Sequence, residues 1–91
     1  MAWLAARKLR KVIDNVRRIL AVEYVCAARA IDFRAPLAPS VATGAVHDLL
    51  RTDVAGPGPD RYLAPDLKAA EQLLRSDKPA EALRKVGITL A

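Results

Sequence analysis

Cysteine and histidine are almost missing from this chain: Cys26 and His47 are the sole representatives in 91 residues. A single cysteine excludes an internal disulfide, and the two together leave no Cys/His set able to hold a zinc ion. Aromatic residues make up only 4% of the sequence, and none interleaves the basic cluster described below as a base-stacking platform would require. No apolar run approaches the ~20 residues of a membrane-spanning helix. The N-terminus carries Arg7, Lys8, Arg10 and Lys11 without a cleavable apolar stretch. A soluble, cytoplasmic protein is expected. Internal repeats, low-complexity tracts and useful runs of strand-like alternation are also absent.

What remains is one small domain's worth of chain, 53% hydrophobic and 27% charged. A chain of this length buries only about 60 to 65% of the surface its unfolded form exposes, so its core gains from a partner's surface. The net charge of +5 is unevenly placed. Residues 1–18 hold six basic groups, Arg7, Lys8, Arg10, Lys11, Arg17 and Arg18, against Asp14 alone. Residues 19–91 balance nine basic groups against nine acidic ones, so the whole excess lies at the front.

Trp3 to about Ile31 contains neither proline nor glycine, and apolar residues recur at Leu9, Val12, Ile13, Val16, Ile19, Leu20, Cys26, Ala27 and Ala30. This spacing predicts one long helix. At 1.5 Å per residue it would run about 42 Å, against a radius of gyration of about 12 Å for a compact domain of this size. Such a helix overhangs its own domain. Its second half, Ile19 to Ile31, is apolar on nearly every side, the pattern of a helix buried in something larger.

Ala35-Pro36-Leu37-Ala38-Pro39 ends that pattern, because each proline removes a donor and extends its predecessor. Ser40 or Thr43 can cap a short helix to about Thr52 bearing Val46, Leu49 and Leu50. Gly56-Pro57-Gly58-Pro59 breaks the chain again. Pro65 suits the first turn of a third helix to about Arg75, with Asp66 at its positive end. Pro79 opens a fourth to Val86, stopped by Gly87. The expected class is all-α: one long N-terminal helix over 1–34, then short helices over 35–91 forming a cap, together one domain and part of a helical-bundle scaffold.

The chemistry-bearing side chains read blandly. Cys26 lies on the apolar stretch and reads as a small buried hydrophobe. His47, beside Asp48 in a short amphipathic helix, reads as a solvated or capping histidine. Asp60 and Asp66 flank an arginine and a helix start, which turn and dipole roles explain. Glu23 is more informative, since Leu9, Val16 and Ala30 advance in sevens and place it in the same stripe. Two readings stand: an ionic contact to an arginine of another helix or subunit, or a glutamate reaching solvent at the stripe's edge. The basic residues could meet phosphate. Most of them fall away from the apolar stripe, however, and no nucleic-acid motif spacing follows, so a solvated or salt-bridged face is expected instead. A membrane-surface helix would need exposed bulky apolar residues, which the second half is expected to bury.

The order of segments carries a resemblance. Met1-Ala2-Trp3, Ala5-Ala6-Arg7-Lys8-Leu9-Arg10, Ile19-Leu20-Ala21-Val22-Glu23 and Ala27-Ala28-Arg29-Ala30-Ile31-Asp32-Phe33-Arg34 follow one another. Thr43-Gly44-Ala45-Val46-His47-Asp48-Leu49-Leu50-Arg51 and Asp60-Arg61-Tyr62-Leu63-Ala64-Pro65-Asp66 come next. Taken in order, the series resembles the C-terminal part of histidine ammonia-lyases, in the aromatic amino acid ammonia-lyase family. The resemblance implies a tetrameric, mostly helical enzyme whose long helices assemble into a central bundle. It also implies elimination of ammonia from an aromatic amino acid by a methylidene-imidazolone group made from an internal Ala-Ser-Gly. This chain has no such triplet: Ser40 and Ser76 sit in Pro-Ser-Val and Arg-Ser-Asp. No cofactor is therefore expected in it, and no catalytic residue carries over.

The chain looks like roughly the last fifth of such a lyase. A fragment, one subunit of a split enzyme, and a free-standing helical protein that kept the scaffold are the three explanations. The leading expectation is a scaffold or oligomerisation segment, not catalytic alone, packing through Leu9, Val12, Ile13, Val16, Ile19, Leu20, Glu23, Val25 and Cys26. Its partners would be copies of itself or a larger lyase subunit. The alternative is a small basic helical module, using Arg7, Lys8, Arg10, Lys11, Arg17 and Arg18 to meet nucleic acid or an acidic protein.

Overall fold

The computed structural model describes residues 2–56, 58 and 61–89. Four helices follow one another: α1 (Ala2–Phe33), α2 (Val41–Asp53), α3 (Ala64–Arg75) and α4 (Lys78–Lys85). No strand occurs among the described residues, and the all-α class holds.

α1 is 32 residues long, a little longer at both ends than its apolar spacing indicates. Its length of about 48 Å accounts for most of the 54 Å long axis of the molecule. The radius of gyration is 15.3 Å, against about 12 Å for a compact chain of this length. The excess is the overhang of α1.

Local chemistry sets the other boundaries. Past Phe33 the backbone tightens into turns, Arg34 N–H donating to Ile31 O at 3.1 Å and Leu37 N–H to Arg34 O at 3.0 Å. Of the two candidate caps of α2, the structure selects Ser40: its backbone is extended and its hydroxyl accepts from Thr43 N–H at 3.3 Å. Thr43 lies inside the helix. α3 has proline in its first turn, with Asp66 as its acidic residue and Arg75 in the last turn, both signs favourable to the helix dipole. α4 begins at Lys78, one residue before Pro79, and ends at Lys85, one before the expected Val86. Its end is a paired closure in which Ile88 N–H donates to Leu83 O at 2.9 Å and Gly87 N–H to Arg84 O at 3.0 Å. That geometry puts Gly87 at φ 85°, a conformation in which a Cβ would be strained.

The core is small. Ala21 and Ala28 of α1, Leu50 of α2, Val54 just beyond it, and Ala70 and Leu73 of α3 form one buried cluster, with Tyr24, Val25, Leu49, Ala69 and Leu74 packed around it. α1 packs most extensively on α3, and α2 on α4. Alanines at Ala21, Ala28 and Ala70 keep the helices close, while Leu50 and Val54 supply the largest fully buried side chains. Among the described residues the buried cluster therefore lies on one side of the second half of α1.

Candidate functional site

Two features of this fold can carry function: the face of α1 that the core leaves uncovered, and a charged cluster that fastens α2 to the end of α1.

The uncovered face follows from helical geometry. Ala21 and Ala28 point at the core, and at 100° per residue Val12, Val16 and Ile19 fall on the other side, with Leu9, Ile13 and Leu20 on the flank between. All six are exposed, from 42% at Ile13 to 61% at Leu9. The second half of α1 reads as a helix buried in something larger, and this chain alone covers only part of it: Ala21 and Ala28 are buried, Tyr24, Val25 and Ile31 are half-buried, and Ile19, Leu20 and Val22 are exposed. Three short helices can cover only one stripe of a helix this long. Cys26 is corrected for the same reason: it is exposed, not a buried hydrophobe. Glu23, in the stripe, is exposed as well. Val25 is the one residue of the expected packing set that leans on the chain's own core. Among the described residues no helix is long and apolar enough to cross a membrane.

The basic residues of α1 lie mainly away from this stripe. Arg7 stacks on Trp3, its guanidinium carbon 4.8 Å from the ring centroid. Lys8, Arg10 and Lys11 are exposed. Arg17 meets Asp14 at 3.7 Å and Arg18 meets Glu71 of α3 at 3.9 Å, while Arg75 at the end of α3 reaches both carboxylates at 3.1 Å. Glu71 of α3 thus answers Arg18, while Arg75 of the same helix adds a further cation beside the front-loaded charge.

The cluster at the other end of α1 centres on Asp32. Its Oδ1 lies 2.7 Å from His47 Nε2, and its Oδ2 accepts from Arg51 Nη2. His47 Nδ1 is 3.1 Å from Asp48 Oδ1. Arg51 also donates to the Ala55 carbonyl at 3.1 Å, holding the turn after α2. His47 is therefore not a solvated or capping residue; its side chain is 15% exposed and faces a carboxylate. Burial works to raise the Asp32 pKa, but the hydrogen bonds and charges of Arg51 and His47 outweigh it and hold it below the usual value. The hydrogen bond to Asp48, followed by the bond and charge of Asp32, raises the His47 pKa against burial and the nearby Arg51 charge. Sequence reasoning missed this cluster. The available signal was an aspartate in the last turn of a helix, where the dipole disfavours it without cations, plus His47 and Arg51 one turn apart on α2.

Beside the cluster, an apolar cleft of about 340 Å³ opens between α1, α2 and α4, lined by Tyr24, Ala28, Ile31, Val46, His47 and Leu83 among others. The Tyr24 hydroxyl donates to Val46 O at 2.5 Å. Burial pushes that hydroxyl up to about 12, with a Leu50 backbone hydrogen bond working the other way. Cys26 lines a different recess, with Arg29, Arg51 and Arg61, so the fold does not bring Cys26 and His47 together as a nucleophile and its base. Arg61 pairs with Asp66 at 2.8 Å, which gives Asp66 the turn role expected of it; Asp60 lies outside the described residues.

The family model for aromatic amino acid lyases matches residues 1–52. Histidine ammonia-lyase of Streptomyces avermitilis is 49% identical over 92 residues, covering 100% of this chain and 18% of its own length. Histidine ammonia-lyase of Streptomyces griseus is 50% identical over 94 residues, with the same two shares. That of Shewanella oneidensis is 50% identical over 74 residues, 81% of this chain and 14% of its own. This chain thus spans less than a fifth of the curated relatives it matches. No solved structure matches. With more than half of its residues matched by the family model and its full length paralleled in relatives at about 50% identity, the chain belongs to the aromatic amino acid lyase family.

Proposed function

We propose that this chain is a helical scaffold segment of a histidine ammonia-lyase-like enzyme, one that eliminates ammonia from L-histidine to give urocanate. It supplies a long bundle helix over residues 1–34 and a short-helix cap over 35–91, and it is not catalytic alone. The observation that carries this reading is the uncovered stripe Leu9, Val12, Ile13, Val16, Ile19 and Leu20. Burying the exposed half of each aliphatic side chain stabilises by about 1 kcal/mol, so the six favour assembly by about 6 kcal/mol before ordering costs. The family membership supports what lies on the other side of that stripe: the rest of a lyase, supplied as a larger subunit or through copies of one chain. Glu23, inside the stripe and exposed, is then the residue that meets an arginine of the partner.

The test is reconstitution. Histidine ammonia-lyase of Streptomyces avermitilis, cut back by the stretch that matches this chain, is mixed with the full 91-residue chain, and ammonia release from L-histidine is followed. The expected result is a co-eluting complex that releases ammonia where neither part does alone. Two parts that elute separately and stay inactive together would overturn the reading.

A further inference from the structure

α3 runs antiparallel to α1 and ends at Arg75, opposite Asp14, with Nη2 of Arg75 at 3.1 Å from the carboxylate. The first twelve residues of α1, about 18 Å, therefore project past the end of α3. Where they leave it, the two helices form an open groove of about 550 Å³. Ala6, Leu9 and Ile13 supply its apolar lining, and Arg10, Arg17 and Arg75 its charged lining together with Asp14. We propose that this groove docks an acidic amphipathic helix of a partner protein, its apolar side chains on Leu9 and Ile13 and its carboxylates on Arg10, Arg17 and Arg75.

Charge selects the occupant. Arg17, Arg18 and Arg75 share two carboxylates, Asp14 and Glu71. Arg10 adds a fourth guanidinium, and the surroundings keep a net charge of +2. Arg7, Lys8 and Lys11 on the same overhang raise it further. A second copy of this chain laid into the groove with its own α1 would bring six basic groups against Asp14, and like charges facing one another oppose that contact. A nucleic acid would meet the arginines but leave the apolar lining uncovered, since phosphate and sugar offer nothing that profits from covering Leu9 and Ile13. A helix with an apolar stripe and acidic flanks answers both parts, the helix-in-groove mode with charge complementarity setting register. The inference rests on the scaffold reading for where that helix comes from, an element of the larger lyase, and adds the chemistry of the surface it presents.

The test uses the full chain and the emission of Trp3, its one tryptophan, which stands one turn before Ala6 at the groove. Two tryptophan-free helical peptides share one leucine stripe; glutamates flank it in the first and lysines in the second. The glutamate peptide is expected to bind at least tenfold more tightly, a ratio that a few exposed charge pairs of each sign can supply. Its affinity should fall as salt is added, because exposed charges are screened. The double variant Arg10→Glu with Arg17→Glu should reverse the preference toward the lysine peptide, a gain that mere unfolding does not produce. Equal affinities, or no saturable change with either peptide, overturn the proposal. So does displacement of the acidic peptide by a DNA duplex at equal charge. Reconstitution of the lyase can fail with the preference intact, which removes the scaffold reading alone. Loss of the preference with reconstitution intact removes the acidic partner alone.

Discussion

Asp32, one residue before α1 ends, accepts a hydrogen bond from Arg51 of α2, nineteen residues further along the chain. With only Leu50 and Val54 as large fully buried side chains, the attachment of α2 to α1 depends heavily on this pair. Removing Arg51 takes one of two cationic partners from the largely buried Asp32 and leaves it His47. Arg51→Met should destabilise the chain by about 2 kcal/mol, less than a fully buried pair would cost because both side chains keep some solvent. Urea denaturation followed by circular dichroism measures it, and a loss below ~0.5 kcal/mol would show the pair to be incidental.

The same cluster sets a pH dependence. His47 has a raised pKa, so the stability it contributes is complete below its ordinary value of 6.5 and is lost as pH rises through the folded value. Asp32 has a lowered pKa, so its contribution is present above the ordinary 3.8 and is lost as pH falls through the folded value. The melting temperature should be higher at about pH 5.5 than at about pH 8.5, and His47→Gln should remove most of that difference. An imidazole titration by NMR with its midpoint at or below 6.5 would contradict the arrangement.

Tyr24 ties the middle of α1 to Val46 of α2. Tyr24→Phe should cost about 1 kcal/mol, the typical net worth of one hydrogen bond when its partner is left inside the protein. In the wild-type chain the phenolate absorbance of the half-buried Tyr24 should rise only near a pH of about 12. A Tyr24 phenolate that forms at the ordinary value of 10.0 would place Tyr24 in solvent.

Val16 separates folding from assembly. It is 45% exposed and outside the buried cluster, so Val16→Asp should leave the helical content of the isolated chain unchanged to within about 0.5 kcal/mol of stability. An unpaired charge in an apolar interface costs several kcal/mol, so the same variant should fail to join the truncated lyase. Light scattering reads the mass of the mixture; an undiminished complex would remove Val16 from the interface.

Leu50 tests the core from the other side. It is fully buried, and Leu50→Ala should cost about 3 kcal/mol through lost transfer and an unfilled cavity. In a domain this small, that is expected to show as a broad, early thermal transition, measurable by circular dichroism.

Much of the fold was legible because it is written locally. The lack of proline and glycine through the first thirty-odd residues makes α1 continuous, Ser40 caps α2, Pro65 starts α3, and Gly87 closes α4 by taking a backbone conformation other residues avoid. The apolar stripe at Leu9, Val12, Ile13, Val16, Ile19 and Leu20 was equally legible, since period 3.6 is a property of sequence alone. Which stripe of α1 the short helices would cover was not. An all-round apolar segment such as Ile19 to Ile31 carries no mark of its inward side, and that side was decided when Ala70, Leu73, Leu50 and Val54 came to rest on Ala21 and Ala28, leaving Cys26 outside. The union of Asp32 with His47 and Arg51 likewise belongs to the tertiary structure, because a charge pair across fifteen to nineteen residues exists only once the Pro36–Pro39 connection has turned α2 back against the end of α1.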